Sequence, residues 1–130
     1  MGSARLSPTS GASDVEATFA VPASDLRLEP EELDPSQILA GSPATSGVVL
    51  HESEDGRVVR GVWRCTAGTV TDIEQDELFA VLEGRATIRI EDGPLLEVAP
   101  GSVCVLQRGA RMTWTVHEPL LKVYQITLHD

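Results

Sequence analysis

Long apolar runs are absent from this sequence. No segment approaches the ~18 consecutive apolar residues of a membrane-spanning helix, and the first residues carry no apolar core of a secretory signal. These absences point to a cytoplasmic protein with no membrane partner. Aromatic residues are few, at 4 % of the 130 residues, so Val, Leu, Ile and Ala must supply most of a core. Cysteine is limited to Cys65 and Cys104. Two cysteines make no disulfide framework, and both lie in apolar, strand-like surroundings, which predicts reduced, buried thiols. Positive charge is scarce as well. Ten basic residues face 20 acidic ones, the formal net charge is -10 and the sequence pI is about 4.6. Lysine occurs once, as Lys122. An acidic surface of this kind repels phosphate backbones and anionic bilayers, so nucleic acid is not an expected partner.

The chain is long enough for one domain with its own core and too short for two ordinary ones. Residues 1–17 are rich in Ser, Ala, Gly and Thr with almost no large apolar group, which predicts a disordered or flexible N-terminus. Residues 18–47 read as a Pro-rich arm. Leu26, Leu28, Leu33, Ile38 and Leu39 are interrupted by Pro30, Pro35 and Pro43, which forbid a long helix. A short turn around Pro35–Leu39 fits this segment, which would drape over a core or over a neighbouring subunit.

The pattern changes at Val48. Short runs rich in β-branched residues alternate with turn signals: "VVLHES", then "EDG", then "RVVRGVWRC"; "RATIRI", then "EDG", then "LLEVAPG". Asp55-Gly56 and Asp92-Gly93 are hairpin signals, and Pro100-Gly101 marks a further turn. Within the strands, successive residues alternate between two faces. Ala86, Ile88 and Ile90 share one face, as do Met112, Trp114 and Val116, and Lys122, Tyr124, Ile126 and Leu128. Closely spaced strands without a helical period predict an all-β sandwich or barrel over residues 48–130.

Two motifs narrow this further. In "ELFAVLEGRATIRIEDG", six residues separate Glu77 from Gly84. In "APGSVCVLQRGARMTWTV", Gly101, Gln107 and Gly109 stand at the spacing glycine, five residues, proline, one residue, glycine, with glutamine in place of proline. The chain resembles a small single-domain cupin, an RmlC-like double-stranded β-helix (the cupin jelly-roll barrel), here with an N-terminal arm. "GVWRCTAGTV", the Asp76-Glu77 pair, Trp114 and Lys122 are similar to the ureidoglycine-aminohydrolase-like and ethanolamine-utilisation-type subgroup. The resemblance implies a homodimer, whose interface is one of the two places open to the arm. In metal-binding cupins three histidines and a glutamate hold the ion. The matching positions here are Thr71 and Ile73 (or Val70 and Asp72), Met112 and Glu77, and none but the glutamate is kept. The resemblance therefore implies no conventional metal centre and no cofactor. A carboxylate-held Mn or Mg ion, using Asp72, Glu74 or Glu77, stays open as an alternative.

The candidate site follows from the same faces. Parity within the motif points Glu77 inward with Phe79 and Val81. An inward carboxylate in an apolar barrel acts as a general acid or base, or forms an ion pair that closes the barrel mouth. Lys122 is its natural partner; it would contact a substrate anion, relay a proton, or only balance Glu77. Tyr124 shares the Lys122 face and adds a phenol. Trp63, Phe79, Met112 and Trp114 line the barrel and form the walls of any ligand pocket, or plain core. Asp72, Glu74 and Asp76 alternate with Ile73 and Gln75, which reads as a solvent-facing rim. His129, in the C-terminal tail, is expected to be disordered. The function these residues imply is binding of a small polar metabolite in the barrel, with lyase- or hydrolase-type proton transfer by Glu77, Lys122 and Tyr124. The alternative is a non-catalytic ligand-sensing or structural cupin in which the Glu77–Lys122 pair only holds the fold.

Overall fold

A computed structural model describes residues 18–129; the expectation for residues 1–17 lies outside them. The described chain is almost entirely strand. Two single-turn 3-10 helices, Ala23–Asp25 and Pro35–Gln37, accompany nine strands: β1 (Glu29–Glu31), β2 (Ile38–Gly41), β3 (Thr45–Glu52), β4 (Val58–Cys65), β5 (Gly68–Ile73), β6 (Asp76–Ile90), β7 (Leu95–Val98), β8 (Val103–Leu106) and β9 (Arg111–Thr127). Among the described residues no helix is long and apolar enough to cross a membrane.

All pairings are antiparallel, and two long strands organise them. β9 pairs with β6 from Thr127↔Asp76 to Met112↔Ile90. The C-terminal half of β9 also pairs with β4, Lys122 lying opposite Trp63. Its N-terminal half pairs with β5, Met112 lying opposite Asp72. β6 is completed by β8 along its first half and β7 along its second. The β6–β9 ribbon thus serves two sheets in succession, and the curled result is a jelly-roll barrel. Its register shifts between Val81 and Ala86, where the ribbon turns from one sheet to the other.

Gly84 sits in that irregular stretch with φ +86°. A Cβ there would lie 2.0 Å from the Pro119 carbonyl oxygen, on the facing strand. The bend therefore demands glycine twice, for its left-handed backbone and for the close approach. Turn chemistry closes the hairpins. Asp92 takes φ 59° between β6 and β7, and Ser53 and Asp55 side chains cap the β3–β4 turn by accepting from Val58 N and Arg57 N.

The arm is built into both sheets of its own chain. β1 adds to β3, and β2 adds to β5. The Pro35–Gln37 turn is fixed by a capping box. Asp34 accepts from Ser36 N, and the Asp34 N–H donates to Gln37 Oε1. β3 begins at Thr45, upstream of the alternation that starts at Val48, because Thr45–Gly47 already pair with Cys65–Trp63.

The core lies between the sheets, where the alternating faces of β4, β5, β6 and β9 meet. Trp63, Val70, Phe79, Ile88, Met112, Trp114 and Leu120 are all essentially without solvent contact. Each such side chain contributes about 1.5–3 kcal/mol on burial.

The bend yields a paired expectation, read from chemical denaturation. Gly101 also has positive φ (+92°) but open space around its Cβ position. Gly101→Ala is expected to cost about 1–2 kcal/mol, the strain of a Cβ in the left-handed region. Gly84→Ala is expected to cost at least about 3 kcal/mol, because the facing backbone must also move. Equal costs would show that the β6–β9 bend relaxes without difficulty.

Candidate functional site

Lys122 enters the barrel from β9, flanked in the sheet by Trp63 on β4 and Val81 on β6. Glu77 enters from the start of β6. Lys122 Nζ donates to Glu77 Oε2 at 2.5 Å, and neither side chain has any solvent exposure. Four rings surround the ammonium. The centroids of Trp63 and Trp114 are 4.7 Å from Nζ, Phe79 is at 4.8 Å and Tyr124 at 5.8 Å. The rings support one another: Trp63 and Trp114 meet edge to face at 5.9 Å, and Phe79 tilts against Trp114 at 5.4 Å. Each π face attracts the cation, an interaction worth about 2 kcal/mol where water is excluded.

The structure thus brings together Glu77, Lys122, Tyr124, Trp63, Phe79 and Trp114 in one buried cluster. Met112, two residues before Trp114 on β9 and so on the same face, is 1 % exposed. Two polar atoms of the cluster stand out. Glu77 Oε1 and the Trp114 indole N–H are buried and make no hydrogen bond among the described residues. An unsatisfied buried group of this kind costs about 1–3 kcal/mol.

Glu74 corrects the reading of an acidic rim. Its side chain is 3 % exposed. It sits in the β5–β6 connection, clamped to the β8–β9 loop by Glu74 N to Ala110 O (3.3 Å) and Gly109 N to Glu74 O (3.0 Å). Burial pushes its carboxyl above the ordinary value; the Glu77 and Asp72 carboxylates add to the rise and Lys122 opposes it. Sequence parity missed Glu74 because the alternation breaks in this connection. No periodic signal could have found it: three residues before an inward Glu77, strand parity places Glu74 outward. Asp76 fits the rim reading in part. It accepts from Arg108 N (2.9 Å) and bonds His129 Nε2 (2.6 Å), interactions that hold its carboxyl below the usual range. His129 is therefore tied to the barrel mouth, against the expectation of a disordered tail. These bonds tie the β8–β9 loop and the C-terminal end of the chain to the start of β6.

Burial pushes both thiols up to about 11, so Cys65 and Cys104 are buried free cysteines of low nucleophilicity. Tyr124 is likewise raised, first by burial and then by the Glu31 and Glu77 carboxylates. It stands as a phenol able to donate.

The fold and these motifs agree with comparison to known proteins. The family profile described as a EutQ-like cupin domain matches residues 52–124, more than half of the chain. The chain belongs to the EutQ-like cupin domain family. Solved structures similar to this cupin include a protein of unknown function of the DUF861 family from Pseudomonas syringae pv. tomato, 27 % identical with a TM-score of 0.71 over 79 % of this chain and 45 % of that one. The Clostridium difficile EutQ protein is 18 % identical with a TM-score of 0.68, covering 90 % of this chain and 92 % of that one. The Schizosaccharomyces pombe Cnp3 cupin domain is 12 % identical with a TM-score of 0.64, covering 85 % and 74 %. This cupin thus spans less than half of the Pseudomonas protein, and its likeness to the other two is one of fold. Comparison with curated proteins gave no match.

The residues of this cupin do not suit the metal that other cupins hold. Met112 and Val70 are apolar and fully packed, and the one kept ligand, Glu77, already accepts from an ammonium that would repel a cation. The histidines lie elsewhere, His51 on Arg60, His117 on Thr87 and His129 on Asp76. Among the described residues no three His, Cys, Asp or Glu side chains converge as ligands.

Two expectations follow from the cluster. Glu77→Gln and Lys122→Met each leave a buried charge without its partner, at a cost of about 3–5 kcal/mol in urea unfolding. The double variant is expected to lose clearly less than the sum; additive losses would mean that the pair is not coupled. Glu74 adds a pH dependence to stability. Its folded-state carboxyl lies above its ordinary 4.5, so the stability it contributes is complete below that pH and is lost as pH rises through the folded value. Glu74→Gln is expected to flatten this decline in urea midpoints measured from pH 4.5 upward. A slope unchanged from the parent would show that Glu74 does not titrate late.

Proposed function

We propose that this cupin binds a small polar metabolite in its barrel and moves a proton on it, in the manner of a metal-free lyase or hydrolase. The observation that carries this reading is the buried Glu77 Oε1, an acceptor without a partner beside a charged donor. Glu77 is the base, with one oxygen oriented by Lys122 and the other directed to the ligand. Glu74, kept protonated longer than an exposed glutamate, is the nearby acid. Lys122 supplies positive charge toward an anionic group, and Tyr124 a phenol donor. Trp63, Phe79, Met112 and Trp114 form the walls and exclude water, which strengthens each of these interactions. Positioned proton transfer of this kind contributes about 10²–10⁴ in rate. The ligand enters through the mouth closed by the β5–β6 and β8–β9 loops, whose opening needs only the few bonds of Glu74 and Asp76 to break.

One observation favours a second reading, a non-catalytic cupin. The four rings leave Lys122 Nζ no exposure at all, as a purely structural pair would require. A thermal-shift screen of small carboxylates and amines separates the two. A ligand that stabilises the parent, and no longer stabilises Glu77→Gln or Lys122→Met relative to their own baselines, fits the first reading. Tyr124→Phe gives a milder variant should those two fold poorly, and it is expected to weaken the response. A response unchanged in every variant sinks the barrel site, and no response to any compound class favours the structural pair.

A further inference from the structure

Two glycines inside strands mark a place where the arm reaches the interior site. Thr45, Gly47 and Val49 share one face of β3, and Trp63 and Gly61 of β4 pair with Gly47 and Val49. Thr45, Val49 and Trp63 are buried on that face, so it is the inner one. Trp63 in turn lies opposite Lys122, and Gly61 opposite Tyr124. Neither Gly47 nor Gly61 has a positive φ; what each supplies is room for a close approach. Both rooms are filled. A Cβ on Gly61 would lie 2.6 Å from Tyr124 Oη, and a Cβ on Gly47 would lie 2.7 Å from Glu31 Oε2.

The second of these groups comes from the arm. β1 sets Glu31 beside Thr45, whose Oγ1 donates to the Glu31 carbonyl oxygen at 3.2 Å. Glu29, on the same face of β1, keeps its side chain 71 % exposed near Arg27. Glu31 Oε2 is instead buried. Successive rows of inward residues are about 7 Å apart, which sets the Glu31 carboxylate in the row next to the Tyr124 hydroxyl. The phenol responds to it: burial raises Tyr124 first and Glu31 next, ahead of Glu77. Lys122 is already matched by Glu77. An anion brought in beside Lys122 and Tyr124 therefore meets a carboxylate that the arm has placed there first.

We infer that Glu31 is an internal competitor of the barrel site: its carboxylate holds the place, over Gly47 and beside Tyr124, that a carboxylate of the ligand takes. This rests on the ligand-binding reading proposed above and adds to it a ligand chemistry and a control. The ligand is a small carboxylate, and its binding and the docking of Glu31 exclude each other. By linkage, the ligand loosens β1 from β3, and loss of the Glu31 charge strengthens ligand binding. β1 releases readily, because it pairs with β3 over only three residues, one of them Pro30, which has no N–H to donate.

Titration calorimetry of the full chain with propionate, malonate and succinate tests this. Glu31→Gln keeps the shape of the side chain and removes its charge. It is expected to bind at least one of the three about fivefold or more tighter than the parent. Glu29→Gln removes an equal charge from the exposed part of β1 and is expected to bind as the parent does. Should Glu31→Gln fold poorly, Gly47→Ala leaves every charge in place and displaces the Glu31 carboxylate, with a shift in the same direction expected. In the parent, saturating carboxylate is expected to speed hydrogen exchange across residues 28–32; unchanged exchange overturns the inference. Equal tightening in Glu29→Gln assigns the effect to net charge and overturns it as well. Carboxylate binding that is lost in Lys122→Met but is no tighter in Glu31→Gln overturns the inference and leaves the barrel reading standing. No binding to the parent or to Glu31→Gln removes both.

Discussion

The Lys122 side chain enters the barrel where no solvent reaches it, and its nearest oxygen belongs to Glu77. Removing an ammonium and a carboxylate from water costs several kcal/mol each, and their attraction at low dielectric offsets this only when geometry is good. The fold supplies that geometry from three strands. β9 carries the amine, β6 carries the acid, and β4, β6 and β9 carry the rings. Of the five aromatic residues in the chain, four are gathered around one nitrogen. The pair also fixes register. A one-residue slip of β6 along β9 would turn Glu77 outward and leave Lys122 alone in the core. Because the β6–β9 ribbon belongs to both sheets, fixing its register orients the whole barrel.

Much of this was legible in the sequence. Alternation on Arg85–Ile90, Arg111–Val116 and Lys122–Leu128 gave the strand faces, and the Asp-Gly pairs gave the hairpins. The inward placing of Glu77 and Lys122 came from the cupin resemblance, through the parity of the motif that holds Glu77, and their partnership from Lys122 being the one lysine of the chain. Less could be read where the period fails. Glu74 lies in a connection, where burial depends on which loop covers it. The continuity of β6 and β9 was hidden, since their bend breaks the alternation at Gly84 and around Glu118-Pro119. The pairing of β1 and β2 was hidden because short, Pro-flanked segments carry no period; only long-range partners define them.

The interior and the exterior of this barrel answer to different constraints. Inside, a few charges are enclosed by rings and have no solvent exposure. Outside, an acidic chain exposes apolar side chains such as Val103, Val105 and Leu78 on β8 and β6. Two strands, β6 and β9, contribute to both: on β6, Glu77 and Phe79 point inward while Leu78 points out. Strand parity thus joins the two without a contact between them.

The enclosure of the single lysine has a consequence for the chemistry of the surface. With Lys122 sealed in the core, the described surface presents no primary side-chain amine, and all its fixed positive charge is guanidinium. Acylating, carbamylating and amine-crosslinking reagents, and enzymes that modify lysine, find no side-chain target there while the barrel stays closed. Exposure of that one amine is a direct chemical report that the barrel has opened.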